Sequence, residues 1–125
     1  MTSGPLKRRI LIADDSELVR RGITALLLTN KSWEICGEAV DGAQALQKTL
    51  ELRPDLILLD ISMPGMSGLD AARLIRESVP ETRILIMSQH ETERMLPGVL
   101  DAGAHGCVDK GRLGADLFPA IQALI

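Results

Sequence analysis

Leu56-Ile57-Leu58-Leu59-Asp60-Ile61-Ser62-Met63-Pro64-Gly65-Met66-Ser67-Gly68 reads as a buried strand that ends on an acid and passes through a loop into a helix. The four apolar residues do not alternate with polar ones. A run so short and uniform suits a strand covered on both faces, as in a parallel sheet. Ile10-Leu11-Ile12-Ala13 and Ile84-Leu85-Ile86-Met87 repeat the pattern, each just after charged residues. Weaker candidates run from Trp33 to Val40 and from His105 to Asp109. Between the runs lie helical spacings. Val19, Ile23 and Leu27 share a face, with Leu18 and Leu26 on its shoulder; Ala43, Leu46 and Leu50 mark a second face, and Leu69, Ala72 and Ile75 a third.

Punctuation supports the same division. Ser16 and Asp41 read as N-caps. Arg53-Pro54 ends the second helix, because the residue before a proline avoids the helical region. Pro80 follows the third helix, and Ala102-Gly103 closes the fourth with a glycine free to take the left-handed cap. Five βα units in a row predict one five-stranded parallel sheet with helices on both faces. Pro97-Gly98 predicts a short fourth helix starting near Met95 or Leu96, with Gln89 to Arg94 as a long loop, since proline is tolerated in a first turn. The last helical stretch runs from Leu113 to Ile125, and Pro119 in its interior predicts a helix that begins near Phe118 or kinks there.

Composition bounds the function. The chain has 125 residues, Lys+Arg 14 against Asp+Glu 17, and a net charge of −3. That is one domain, 1–125, able to bury roughly 65–70% of its unfolded surface, with 1–8 expected as a flexible N-terminal segment. An apolar share of 46% with 25% charged residues excludes disorder. The mild acidity argues against a free-standing nucleic-acid binder. No apolar run approaches the roughly 20 residues that span a bilayer. The opening residues lack the apolar core of a secretion signal, which predicts a cytoplasmic protein without a membrane partner. Cys36 and Cys107 form no Cys-x-x-Cys pair, so neither a disulfide framework nor a zinc site is indicated.

Ligands of doubly wound sheets bind outside the carboxyl ends of the strands. The runs deliver Asp14-Asp15, Asp60, Ser88 and Asp109-Lys110 to that edge. Crowded carboxylates repel one another and are costly to desolvate. A hard divalent cation such as Mg²⁺ offsets both, since it takes oxygen ligands from carboxylates and phosphates. Lys110 then serves as a point-charge partner for a carboxylate or phosphoryl oxygen. Singly, each of these residues reads as a cap; arriving together from four strands, they read as a site.

Ile10-Leu11-Ile12-Ala13-Asp14-Asp15, Leu58 to Gly68, Ser88 and Gly103 to Lys110 together resemble the receiver domain of two-component response regulators. Leu18-Val19-Arg20-Arg21-Gly22 and Gly37-Glu38-Ala39-Val40-Asp41-Gly42 resemble the branch whose receivers precede a helix-turn-helix DNA-binding domain. The resemblance implies a flavodoxin-like, doubly wound (βα)5 fold in three α/β/α layers. It implies that Asp60 accepts a phosphoryl group from a phosphohistidine of a sensor histidine kinase. Asp15 would ligate Mg²⁺ directly and Asp14 through water, with Asp60 and the backbone carbonyl of Ser62 completing the protein ligands. Lys110 would contact the acyl phosphate, and Ser88 would be the switch hydroxyl. His90 and Ser62 would flank the path of the hydrolytic water, making His90 a modulator of the phosphoryl lifetime.

Such a domain is a signalling module rather than an enzyme, although it assists its own phosphorylation and dephosphorylation. It is expected to form a homodimer on activation and to reach DNA only through an output domain beyond Ile125. Arg20 and Arg21 are expected on the solvent side of the first helix, which the family uses to meet its kinase. Cys107 departs from the family, standing where most members carry Tyr or Phe. That keeps open a degenerate or stand-alone receiver that acts as an interaction module. His105 reads as structural, and Met63 and Met66 as packing residues. A haloacid-dehalogenase enzyme would need Asp-x-Asp where Asp14 and Asp15 are adjacent, and no Gly-x-Gly-x-x-Gly follows the first strand to hold a dinucleotide.

Overall fold

The computed structural model describes residues 6–89 and 92–125, apart from the side chains of residues 92 and 93. Its elements are β1 (Arg8–Ala13), α1 (Glu17–Leu27), β2 (Trp33–Ala39), α2 (Gly42–Leu52), β3 (Leu56–Asp60), α3 (Gly68–Ser78), β4 (Arg83–Ser88), α4 (Thr92–Asp101), β5 (Gly106–Asp109) and α5 (Leu113–Leu124), with a short 3-10 turn at Lys110–Arg112. All strand pairs are parallel, in the order β2-β1-β3-β4-β5. Alternate residues of each strand face opposite layers. Leu11, Ala13, Ile57, Leu59, Ile84 and Ile86 pack with Ala45, Ala72, Ile75 and Val99 on one side. Ile10, Ile12, Leu56, Leu58, Leu85 and Met87 pack with Ile23, Leu27, Leu117 and Ile121 on the other. The sheet is therefore the middle of three layers, as its uniform apolar runs require. Strand order reverses between β1 and β3, so the ligand crevice of this fold opens at their carboxyl ends.

Caps formed where short polar residues precede the helices. Ser16 Oγ accepts from the Val19 N–H at 3.3 Å and Asp41 Oδ1 from the Gln44 N–H at 2.8 Å. Ser67 caps α3 in the same way, accepting from the Asp70 N–H at 3.2 Å. Arg53 closes α2 in the left-handed region, at φ 47°, immediately before Pro54. Gly103 turns the chain out of α4 at φ 94°.

Several expectations need correction. Arg8 already pairs with Trp33 as the first residue of β1, inside the segment expected to be flexible; residues 1–5 lie outside the described residues. Leu18 is 80% exposed, off the shoulder of the α1 face. The buried stripe of α2 is Gly42, Ala45 and Thr49, while Ala43 and Leu50 face solvent. The roll of α2 is set at its first turn, where a Cβ on Gly42 would stand 2.7 Å from the Met66 carbonyl oxygen. Thr49 is accommodated because its hydroxyl donates to the Ala45 carbonyl at 2.7 Å.

Neither proline delays its helix. α4 starts at Thr92, not near Met95, and α5 starts at Leu113, not near Phe118. An interior proline costs about 3 kcal/mol when the carbonyl it orphans is buried and its ring meets the preceding turn. Pro97 and Pro119 are both exposed, so neither ring is forced into the core. Beyond Pro97 the ladder is regular again, with the Ala102 N–H donating to the Gly98 carbonyl at 3.0 Å. Packing of Val99 on one helix and of Leu117 and Ile121 on the other, all fully buried, offsets the lost bonds. Of the loop expected from Gln89 to Arg94, residues 90 and 91 lie outside the described residues and 92–94 are helical. No helix among the described residues is long and apolar enough to cross a membrane.

Candidate functional site

β1 carries its ladder one residue past its end, the Asp14 N–H donating to the Ala39 carbonyl at 3.0 Å. This draws Asp14 fully inside and leaves Asp15 exposed beside it. Asp14 Oδ1 accepts from the Ser16 N–H at 2.9 Å. Asp14 Oδ2 lies 2.6 Å from Lys110 Nζ and, among the described residues, makes no hydrogen bond of regular geometry. β3 delivers Asp60, 2% exposed, whose Oδ1 accepts from the Ser62 N–H at 3.2 Å. Asp60 Oδ2 stands 3.2 Å from the same Lys110 ammonium. Lys110 opens the 3-10 turn, which Asp109 steadies by accepting from the Gly111 N–H at 2.8 Å.

Carboxylate oxygens of Asp14, Asp15 and Asp60 lie within 4.8 Å of one another. One ammonium thus faces two buried acids, with the exposed Asp15 carboxylate beside them. Burial, reinforced by the Asp14 charge, pushes the Asp60 carboxyl above its ordinary range against the opposing pull of the Ser62 N–H and Lys110. Burial pulls the Lys110 ammonium down, but Asp14 and Asp60 together outweigh it and leave its pKa raised. The uncompensated negative charge, the all-oxygen donor set and the under-bonded Asp14 Oδ2 fit a hard divalent cation such as Mg²⁺.

Gly68 makes the loop after β3 possible. A Cβ there would stand 2.2 Å from the Asp60 carbonyl oxygen, and the Gly68 N–H donates to the Ile61 carbonyl at 3.0 Å. The chain from 61 to 67 therefore folds back on itself directly beside Asp60. Ser62, exposed, contributes its N–H to the site.

Ser88 ends β4, 2% exposed and opposite Asp109, one residue beyond the partner of Asp60 in the β3–β4 register. The Cys107 thiol lies 3.6 Å from Ser88 Oγ as a donor. Burial raises the Cys107 pKa. His90 lies outside the described residues. His105 has a partner that its sequence did not reveal, Nδ1 accepting from the Ile84 N–H at 3.0 Å. Burial, with Arg83 and Arg76 nearby, lowers its pKa.

The two arginines of α1 differ. Arg21 is on the solvent side, its side chain 77% exposed, but the Arg20 side chain is only 13% exposed and turns inward. It donates from Nη1 to the Asp14 carbonyl at 2.7 Å and from Nε to Glu38 Oε1 at 2.8 Å. Sequence reasoning missed this pair. Both residues lay in stretches singled out as marking a family branch, yet no periodicity joins positions on different elements.

The strand order and this acidic edge define the class: a flavodoxin-like, doubly wound α/β module of the kind typified by receivers. The chain belongs to the response regulator receiver domain family, whose pattern it matches over residues 10–122. It is 42% identical over 117 residues to the oxygen regulatory protein NreC of Staphylococcus epidermidis, covering 93% of this chain and 54% of that protein. It is 37% identical over 114 residues to the response regulator GacA of Pseudomonas viridiflava, covering 91% and 53%. The chain thus spans about half the length of these curated relatives. Among solved structures, the receiver domain of the putative response regulator NarL from Mycobacterium tuberculosis superposes with a TM-score of 0.88 at 34% identity, covering 95% of this chain and 96% of that one. A LuxR-family response regulator from Aurantimonas sp. SI85-9A1 gives 0.88 at 33%, covering 94% and 84%.

Proposed function

We propose that the chain is a working phosphoacceptor receiver: Asp60 takes a phosphoryl group from a histidine kinase in a Mg²⁺-dependent reaction and passes the signal to a transcriptional output. The observation that carries this is Lys110 Nζ set between Asp14 and Asp60, at 2.6 and 3.2 Å, on the edge where the family match and the acidic cluster coincide. Phosphoryl transfer needs alignment and charge neutralisation more than covalent help from the protein. Asp14, Asp15 and Asp60, with the Ser62 carbonyl, would hold Mg²⁺, which supplies a template and neutralises phosphoryl charge when bound. An Asp60 carboxylate oxygen attacks phosphorus, and the P–N bond breaks as the P–O bond forms. The electron pair of that bond returns to the kinase imidazole. The Lys110 ammonium turns from the carboxylates to a phosphoryl oxygen.

The added oxygens then recruit the Ser88 hydroxyl as a donor, while its oxygen accepts from the Cys107 thiol. With no aromatic ring at position 107, that recruitment is the readout nearest the site. His90 is proposed, on the family resemblance alone, to tune the lifetime of the phosphoryl group. The relatives' greater length supports an output domain in the whole protein, of the helix-turn-helix kind, acting in the cytoplasm through a dimer that forms on phosphorylation.

Incubation with acetyl phosphate, with and without Mg²⁺, followed by intact-protein mass, tests the central step. Wild type gains one phosphoryl group only with Mg²⁺, and Asp60→Ala gains none. A wild type that binds Mg²⁺ yet gains nothing, from acetyl phosphate or from a phosphorylated kinase, overturns the reading and establishes a degenerate receiver acting by interaction alone.

A further inference from the structure

We propose that Arg20 is a positioning residue for the acidic site, clamping the Asp14-Asp15 turn to the end of β2 through Glu38. The inference rests on the receiver reading above and adds to it a residue that touches neither phosphate nor cation. Arg20 Nη1 donates to the Asp14 carbonyl at 2.7 Å while Nε donates to Glu38 Oε1 at 2.8 Å. The carbonyl it grips belongs to the rigid peptide plane that joins Asp14 to Asp15. Arg20 therefore orients the residue that follows as well as the one it touches.

β2 holds the same turn by a second route. The Asp14 N–H donates to the Ala39 carbonyl at 3.0 Å, so both polar groups of Asp14's backbone are tied to the end of one strand. The anchor is itself braced, because Lys48 of α2 donates to the Glu38 carbonyl. With Ser16 donating to Oδ1 and Arg20 to the carbonyl, two of Asp14's oxygens are fixed by hydrogen bonds, and Oδ2 is left open towards the acidic edge beside Lys110.

Such a clamp answers a physical need. Three neighbouring carboxylates repel one another and would splay in the absence of a cation. Holding the backbone beneath two of them lowers the ordering cost that a cation would otherwise meet on binding. Only a planar guanidinium offers two fixed donors in diverging directions; a lysine at this position reaches one partner. The two stretches that resemble the helix-turn-helix branch, Leu18 to Gly22 and Gly37 to Gly42, thereby become one device.

The test is Mn²⁺ binding by the 125-residue chain, read from the resonance of free Mn²⁺, alongside thermal unfolding without cation. Arg20→Met is expected to weaken Mn²⁺ binding about tenfold, Glu38→Met about threefold, and Arg20→Lys not to restore it. The double variant Arg20→Met/Glu38→Met is expected to bind no more weakly than Arg20→Met, since both break one chain of contacts. Wild-type affinity in Arg20→Met, with only the unfolding midpoint lowered, overturns the clamp and leaves Arg20 a packing residue. If Arg20→Met does not fold, Glu38→Met decides alone, unchanged affinity counting against the clamp. A wild type that binds no Mn²⁺ overturns the metal-site reading and the clamp with it.

Discussion

At the amino ends of the strands, Arg8 meets Asp55 at 3.9 Å, Arg9 meets Glu34 at 3.8 Å and Arg53 meets Glu81 at 3.8 Å, all with side chains at least 36% exposed. At the carboxyl ends, Asp14 and Asp60 are buried and share one lysine, with Asp15 beside them. At the first end three bases meet acids in water, an arrangement worth about 0–1 kcal/mol per pair. The other end gathers acids out of water with too few bases, which destabilises the fold. A sheet has no structural reason to treat its two ends so differently. The imbalance fits the proposed function, and it can be broken or sharpened by substitution.

The largest effect is expected at Gly68. Alanine there meets the Asp60 carbonyl at 2.2 Å, with backbone on the far side of the contact, and should cost about 3 kcal/mol in urea unfolding. A cost near zero would mean that the loop beside Asp60 shifts freely, and the functional end would lose its claim to be built. Asp60→Asn should act in the opposite direction. A carboxyl whose folded pKa is raised contributes stability below its unfolded pKa of about 3.9, and that contribution is lost as pH rises through the folded value. At pH 7 the ionised Asp60 is therefore a net cost, and the substitution should raise stability by about 1 kcal/mol, a few degrees in Tm, in cation-free buffer. Added Mg²⁺ should then stabilise wild type and leave the Asp60→Asn variant behind, since only a state that binds gains.

Two smaller effects probe the balanced end. His105 is held neutral, accepting from Ile84, with its pKa lowered by burial and two arginines. Its contribution is present above the unfolded pKa of about 6.5 and is lost as pH falls through the lower folded value. Urea midpoints at pH 7 and pH 5 should fall further for wild type than for His105→Gln, which keeps an acceptor but takes up no proton. Glu81→Ala, breaking one exposed pair, should change stability by under about 0.5 kcal/mol. A loss as large as that from Gly68→Ala would erase the contrast between the two ends.

Legibility followed the range of the interactions. β3 is buried at all five positions, as its uniform run predicts, because burial on two faces leaves a local imprint of apolar residues. The caps at Ser16 and Asp41 were readable for the same reason, each satisfying a donor three residues away. The inward stripe of α2 was misread in part because Ala43 and Leu50 look more apolar than Gly42 and Thr49. Contact with Met66 sets that helix's roll, and small residues at a close approach carry little hydrophobic signal. The start of α4 was misplaced because a proline's cost depends on how the helix around it docks, which the local sequence does not show.

By itself the sequence determined the five βα units, the parallel sheet, and the placing of Asp14, Asp15, Asp60, Ser88 and Lys110 at one edge, since strand ends follow from local pattern and all parallel strands end on the same side. Tertiary structure alone decided that Lys110 stands between two buried carboxylates, that Arg20 bridges Asp14 to Glu38, and that Cys107 meets Ser88. Those contacts join residues on different elements. They arise from the register and roll with which finished elements pack, and no helical or strand period along the chain encodes them.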